Sequence, residues 1–474
     1  MIRPALSLSI AVALAGCAAT RPPPARTPAA TATVAAPAEP VRAIDANPFP
    51  STYRAPVVGK VALVGGNVLT ATGAEIADGT VLMDGGRIVA VGANLPVPEG
   101  YQRVDARGKW VTPGVIDAHS HLGAWSQPES ADALNDVNEM TDPNTAQAWV
   151  EHSIWPQDPG LDAARQAGVT TLMVLPGSAN LFGGRSVTLK NVPATTMQGM
   201  KFPGAPYGLK IACGENPKRV YAAKGRSPAT RMGNVAGYRK AWIDAQDYAR
   251  RWDKWEKGGK VGDPPRRDLQ LETLAGVLKG EILVQNHCYR ADEMANMIDI
   301  AREFGFRIRT FHHANEAYKI APMLVKEDIC VATWASWWGY KMEVFDAIEE
   351  NAPLIHAAGG CAIIHSDDPL VIQRLNQEAA AALSSAWRAG LKIPKSEAIK
   401  WFTANSARAL GIADNVGTLE PGKNADVVLW SADPFSIYAR ADKVWIDGGI
   451  VFDRSDPSYR PHSDFTLGQV GGAR

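Results

Sequence analysis

From Lys60 the chain alternates short apolar runs with glycine-centred breaks: V-A-L-V-G-G-N-V-L-T, G-T-V-L-M-D-G-G-R-I-V-A-V-G and W-V-T-P-G. Runs of this kind bounded by glycine predict β-strands. Gly85-Gly86 predicts a two-residue hairpin turn. The same texture returns toward the other end, in G-T-L-E-P-G-K-N-A-D-V-V-L-W and K-V-W-I-D-G-G-I-V-F-D, with Gly448-Gly449 as a second hairpin turn. Shared β texture around a different middle predicts one discontinuous domain, a small β-sandwich built from residues 58–112 and 414–454. The alternative is two edge hairpins decorating the middle. Residues 455–474 are read as a C-terminal tail.

Between these ends the pattern becomes strand, helix, strand. The first strand is V-T-P-G-V-I-D-A-H-S-H-L, 111 to 122. V-T-T-L-M-V-L (169 to 175), S-V-T-L-K (186 to 190), G-L-K-I-A-C (from Gly208) and E-I-L-V-Q-N-H (to His287) follow. R-I-R-T-F-H-H (to His313), C-V-A-T-W (from Cys330) and C-A-I-I-H-S-D-D-P (from Cys361) complete the set. Met294, Met297, Ile298 and Ile300 lie at helical spacing after the fifth run. Repeated βα units imply a parallel sheet, and eight imply closure. The fold class is therefore α/β, a (β/α)8 TIM barrel over residues 113–413. The polar, Trp-, Lys- and Arg-rich stretch from Arg219 to Lys279 reads as a helical insertion or a lid over the barrel mouth.

Residues 1–17 read as a targeting segment. Arg3 supplies a positive start, and the apolar run Ala5 to Ala15 is too short to span a bilayer. It closes in L-A-G-C, which resembles the lipobox of bacterial lipoproteins with Cys17 as the lipidated residue. Residues 18–57, rich in Pro, Ala and Thr, cannot bury a core and read as an extended tether. The expected location is the cell envelope: periplasmic, outer-membrane and held by that lipid alone. The 49 basic and 49 acidic residues balance, which argues against a nucleic-acid partner. Cys213, Cys288, Cys330 and Cys361 are scattered through apolar runs without C-x-x-C spacing and read as buried thiols.

The chemistry lies at the strand ends. His119 and His121 are two apart, so their side chains leave a strand on one face. Other strands end in His287, in His312-His313 and in Ser366-Asp367-Asp368. A (β/α)8 barrel gathers such ends at one mouth. Several imidazoles and a carboxylate meeting there point to a divalent metal, zinc first, as one or two ions. Zinc lowers the pKa of bound water to about 7. A carboxylate beside it can then take and return a proton. The chain contains no G-x-S-x-G elbow, so nothing suggests an α/β-hydrolase serine.

These residues resemble the amidohydrolase superfamily, closest to its imidazolonepropionase-like branch. The resemblance rests on P-G-V-I-D-A-H-S-H (113 to 121), A-G-V-T-T (167 to 171), H-S-D-D-P, T-A-N-S-A-R-A-L-G-I and G-T-L-E-P-G-K-N-A-D-V-V-L-W. It implies a metal-dependent barrel with a β-sandwich made from both chain ends. His119 and His121 match the first-strand metal pair, His287 the strand-five ligand and His313 the strand-six ligand, with His312 as the alternative. Asp367 matches the final-strand ligand and catalytic proton shuttle, ahead of Asp368. Binuclear relatives add a bridging glutamate or carboxylated lysine. Glu215 is the first candidate for that place, with Lys210 and Lys190 as alternatives. Tyr289, Arg290 and Arg226 are candidate substrate contacts, the last with Arg219 and Arg231. Trp334, Trp337 and Trp338 could line an apolar pocket, whereas His365 is read as core packing.

The function implied is hydrolysis of a C–N bond in an amide, peptide or cyclic amide, by metal-activated water with Asp367 as shuttle. The partner is a small-molecule or peptide-like substrate. Two alternatives remain: deamination of a nitrogen heterocycle, and a non-catalytic envelope binding protein on the same fold.

Overall fold

The computed structural model describes residues 47–127, 135–337 and 339–459. Cys17, most of the tether, the tail beyond residue 459 and Trp338 lie outside the described residues. Gly114 divides what the sequence presents as one strand. Before it, β1 (Val61–Leu69), β2 (Glu75–Asp84), β3 (Arg87–Ala93), β4 (Gln102–Asp105) and β5 (Trp110–Pro113) belong to one sheet. After it, β6 (Val115–Ser120) opens another. A Cβ at Gly114 would lie 2.1 Å from Thr170 Oγ1, so only glycine lets the chain pass between the two sheets there.

The second sheet continues with β7 (Val169–Val174), β8 (Phe182–Lys190), β9 (Gly208–Ala212), β10 (Leu283–Cys288), β11 (Ile308–His313), β12 (Cys330–Thr333) and β13 (Ala362–Ile364). The chain then returns to the first sheet with β14 (Val427–Trp430), β15 (Ala441–Ile446) and β16 (Gly449–Asp453). The first sheet runs β16-β15-β14-β5-β1-β2-β3, with β4 beside β1. Strands from the two chain ends therefore meet where β14 pairs antiparallel with β5, Leu429 opposite Val111. Leu63, Val81, Val111, Val427 and Trp445 pack there into a separate core.

β6 to β13 pair in chain order and form a nearly closed eight-stranded barrel. The two end strands approach at their tips, where the Asp367 amide donates to the His119 carbonyl at 2.9 Å. One strand departs from the expected parallel pattern: β8 runs antiparallel to both β7 and β9. Only residues 175–181 connect β7 to β8, and a parallel return needs a crossover of about a dozen residues or more. The other barrel pairs are parallel.

The stretch after β9 forms helices Glu215–Ala222, Arg231–Lys257 and Leu269–Leu278. The long middle helix is a wall of the barrel rather than a lid. Its Tyr238 hydroxyl reaches the carbonyls of Leu181 and Ala212, and Trp242 packs 4.3 Å from Phe306 and 5.5 Å from Phe182, centroid to centroid. An amphipathic helix with a buried aromatic stripe covers the outside of a sheet.

The four cysteines read as free thiols are paired, Cys213 with Cys288 and Cys330 with Cys361. They sit on or next to neighbouring strands with Cα separations of 5.3 and 4.6 Å, which suit a disulfide. The spacing along the chain hid a proximity that strand pairing creates. Replacing Cys330 and Cys361 together by alanine should lower unfolding free energy by about 3–4 kcal/mol, given the 31-residue separation. Urea denaturation of the oxidised protein checks this.

Candidate metal centre

Asp117 organises the mouth where the barrel closes. It is fully buried on β6, and its Oδ1 accepts from the backbone amides of His119 (3.1 Å) and Ser366 (3.2 Å). Its Oδ2 accepts from the Ser366 hydroxyl. Burial pushes this carboxyl up to about 7 against those hydrogen bonds. The network ties the histidine strand to the aspartate strand, so the side chains that follow share one floor.

On that floor His119 Nε2 and His121 Nε2 lie 3.1 and 3.0 Å from Asp367 Oδ1. His313 Nδ1 is 3.9 Å from the other carboxylate oxygen, Oδ2. The His287 ring packs 4.5 Å from that of His313. Asp367 (φ +60°) and His313 (φ +67°) both adopt left-handed backbone, which costs a non-glycine residue roughly 1–2 kcal/mol. Closure of the barrel supports that strain at the two residues aimed into the mouth. Asp368 instead accepts from the amides of Leu370 and Val371 and caps the following turn.

Burial lowers the pKa of His119, His287, His312 and His313 well below 6.5, and Lys210 adds to this for the first three. Burial alone would raise Asp367, but His313, His121 and His365 outweigh it and hold its carboxyl below the usual range. His119, His287 and His313 are therefore poised as neutral nitrogen donors to a cation and Asp367 as an anionic one. Among the described residues, His287 Nε2, His313 Nδ1 and both ring nitrogens of His365 are buried without a hydrogen-bond partner. Buried polar atoms are normally satisfied, so this donor set fits a divalent metal. Two groups with converging ligand atoms stand out, His119-His121-Asp367 and His119-His313-His365.

The sequence reads His365 as core packing, whereas the structure turns its side chain into the site. His365 follows β13 directly, and its ring turns into the histidine cluster, 5.1 Å from that of His313. Its ring stacks on that of His119 at 5.0 Å.

Glu215 stands apart from the cluster. It opens a helix, and its carboxylate pairs with Lys341 at 3.3 Å. Lys210 on β9 reaches inward instead, its Nζ 3.2 Å from His119 Nε2. Burial draws its pKa down to about 8, opposed by Asp367. Lys190 is held elsewhere by Asp447 at 2.9 Å. Of the candidate substrate contacts, Tyr289 flanks the cluster, 4.5 Å from the His287 ring. Arg290 precedes a helix and binds Asp292, and Arg226 binds Asp142, so both guanidiniums are engaged away from the histidines. Arg231 likewise pairs with Glu293 and Glu343. Trp334 stacks between His313 and Trp337, at 4.6 and 4.9 Å, and forms an aromatic wall.

The same pKa shifts set a stability window. A histidine whose folded pKa is lowered leaves the unfolded chain binding more protons below 6.5, so stability falls as pH drops. Metal-stripped protein should lose up to about 1.4 kcal/mol per pH unit for each such histidine below pH 6.5. Thermal unfolding of stripped protein between pH 7.5 and 5 would show this, and a flat profile would contradict it.

Comparison with known proteins shows the family. The amidohydrolase family model matches residues 349–451. A crystal structure of an amidohydrolase from Thermotoga maritima superposes with a TM-score of 0.77 at 32% identity, covering 83% of this chain and all of that one. An amidohydrolase of Hapsidospora irregularis is 32% identical over 408 residues, although this chain spans only 41% of its length. An imidazolonepropionase of Mesorhizobium japonicum is 25% identical over 381 residues, 75% of this chain and 87% of that protein. With the full length of the Thermotoga enzyme matched at that identity, the chain belongs to the amidohydrolase family.

Proposed function

We propose that this protein is a metal-dependent hydrolase of an amide, peptide-like or cyclic amide bond, of the imidazolonepropionase-like branch. One observation carries the reading. His121 Nδ1 lies 2.8 Å from the Leu175 carbonyl, which can only accept, so Nδ1 holds the proton. Its Nε2 lone pair then faces Asp367 Oδ1 at 3.0 Å. With His121 neutral these are two acceptors turned toward each other in a buried site, and the unpartnered nitrogens of His287, His313 and His365 around them suit a metal ion rather than a single proton.

His119, His121, His287, His313 and Asp367 would hold the metal, with Lys210 preferred to Glu215 as the bridging position. Zinc suits this nitrogen-rich set, and when bound it supplies a Lewis acid and acidifies a water. Asp367 divides its work between its oxygens. Oδ1 is turned to the first-strand pair, and Oδ2 takes the proton of the attacking water. That proton passes to the leaving nitrogen as the C–N bond breaks. Tyr289 and Trp334 shape an apolar wall for a small-molecule substrate.

Two disulfides support a location outside the reducing cytoplasm. We read the protein as a periplasmic lipoprotein anchored through Cys17. No described helix is long and apolar enough to cross a membrane.

The test is metal analysis of purified protein joined to a hydrolysis screen of dipeptides, N-acyl amino acids and cyclic amides. One or two zinc ions per chain and turnover of one such class are expected. Protein without metal after zinc loading would end the reading. Ammonia release from nitrogen heterocycles alone would redirect it to deamination, and zinc binding without any turnover would leave a binding protein.

A further inference from the structure

His312, the histidine left over from F-H-H, is as buried as the candidate ligands, and both of its ring nitrogens are engaged. Its Nδ1 lies 3.0 Å from His119 Nδ1. Its Nε2 lies 2.8 Å from Gln285 Oε1. The other end of that carboxamide, Gln285 Nε2, points at the Ala409 carbonyl at 3.3 Å. Ala409 is in the last turn of the helix Ala404–Leu410, where carbonyls have no intrahelical amide to accept from.

This chain of contacts has a single consistent direction. The Ala409 carbonyl only accepts, so Gln285 turns its NH2 toward it and its oxygen toward His312. The Gln285 oxygen only accepts, so His312 donates from Nε2. A contact between two ring nitrogens is a hydrogen bond only when one donates and the other accepts. His312 Nδ1 is then the acceptor and His119 Nδ1 the donor. That leaves a lone pair on His119 Nε2, the nitrogen that faces Asp367 and Lys210. Reversing the chain would set Gln285 oxygen against the Ala409 carbonyl, or lone pair against lone pair at His312.

We propose that Gln285 and His312 are positioning residues that fix the tautomer of His119 so that Nε2 is presented as a ligand. The proposal rests on the metal-binding reading above, but its central claim concerns protonation of a ring. Partners that fix a ligand imidazole typically change metal affinity by 10- to 100-fold when removed.

The experiment uses the full chain with zinc as the probe. Competition against a chelator should show zinc Kd raised about 10- to 100-fold in His312→Leu. His312→Asn should recover most of the loss, because its carboxamide oxygen can accept from His119 Nδ1–H. Gln285→Leu, which removes the acceptor facing His312, should weaken zinc binding in the same direction. A space-filling role would be satisfied by leucine, so wild-type affinity in both leucine variants overturns the proposal. Ring-nitrogen NMR of zinc-free, 15N-histidine-labelled wild type needs no variant. It should find His119 protonated on Nδ1, and protonation on Nε2 overturns the proposal directly. A wild-type chain without zinc affinity would instead defeat the metal reading, with the tautomer still decided by NMR.

Discussion

Asp367→Asn should leave a folded protein whose kcat is lower by about 10²- to 10⁴-fold, the usual contribution of a positioned general base. The substitution keeps the shape of the side chain and one oxygen to face His119 and His121, but it removes the charge and the site that takes a proton. The left-handed backbone at this position tolerates asparagine as well as aspartate. Unfolding temperature should therefore change little while turnover collapses. Steady-state kinetics with circular dichroism on the same preparation would separate the two. Activity within tenfold of wild type would remove Asp367 from the proton path and move attention to His313, whose Nδ1 faces its Oδ2.

Lys210→Met should lower turnover by about 10- to 100-fold or more and reduce bound metal, while Glu215→Gln should alter either by less than about threefold. Methionine keeps the unbranched stem that fills the barrel interior. What disappears is an amine with Nζ 3.2 Å from His119 Nε2. Burial draws this amine down to about 8, which leaves a neutral fraction near pH 7 able to take up carbon dioxide as a carbamate. Activity that rises with added bicarbonate would support that form. Glu215, by contrast, spends its carboxylate on Lys341 near the surface. Metal analysis of the two variants decides between them. A loss confined to Glu215→Gln would restore the glutamate bridge that the sequence first suggested.

Distance along the chain separates the residues whose role was legible in the sequence from those whose role was not. His119, His121, His287, His313 and Asp367 could be named because each ends an apolar run, and strand ends of a barrel share a mouth. The structure brings these five together. The inward turn of His365 is not set by a local pattern, because it lies just past β13 and the left-handed backbone of Asp367 breaks strand alternation there. Glu215 looked suitable because it follows β9 closely. Helix Glu215–Ala222 begins there and carries its carboxylate to Lys341. Lys210 lies inside β9, and its inward direction depends on strand parity within a closed barrel.

By itself the sequence determined the alternation of strand and helix, the matched β texture of both ends and the histidine spacing of β6. These are local properties, set by which face of a strand or helix each residue occupies. Only the tertiary structure decided that β8 runs against its neighbours, that Cys213 meets Cys288 and Cys330 meets Cys361, and that His119 is held through His312 and Gln285. Each of these joins residues separated by a loop, by one or more helices or by several strands. Their meeting depends on register and barrel closure, which no local pattern encodes.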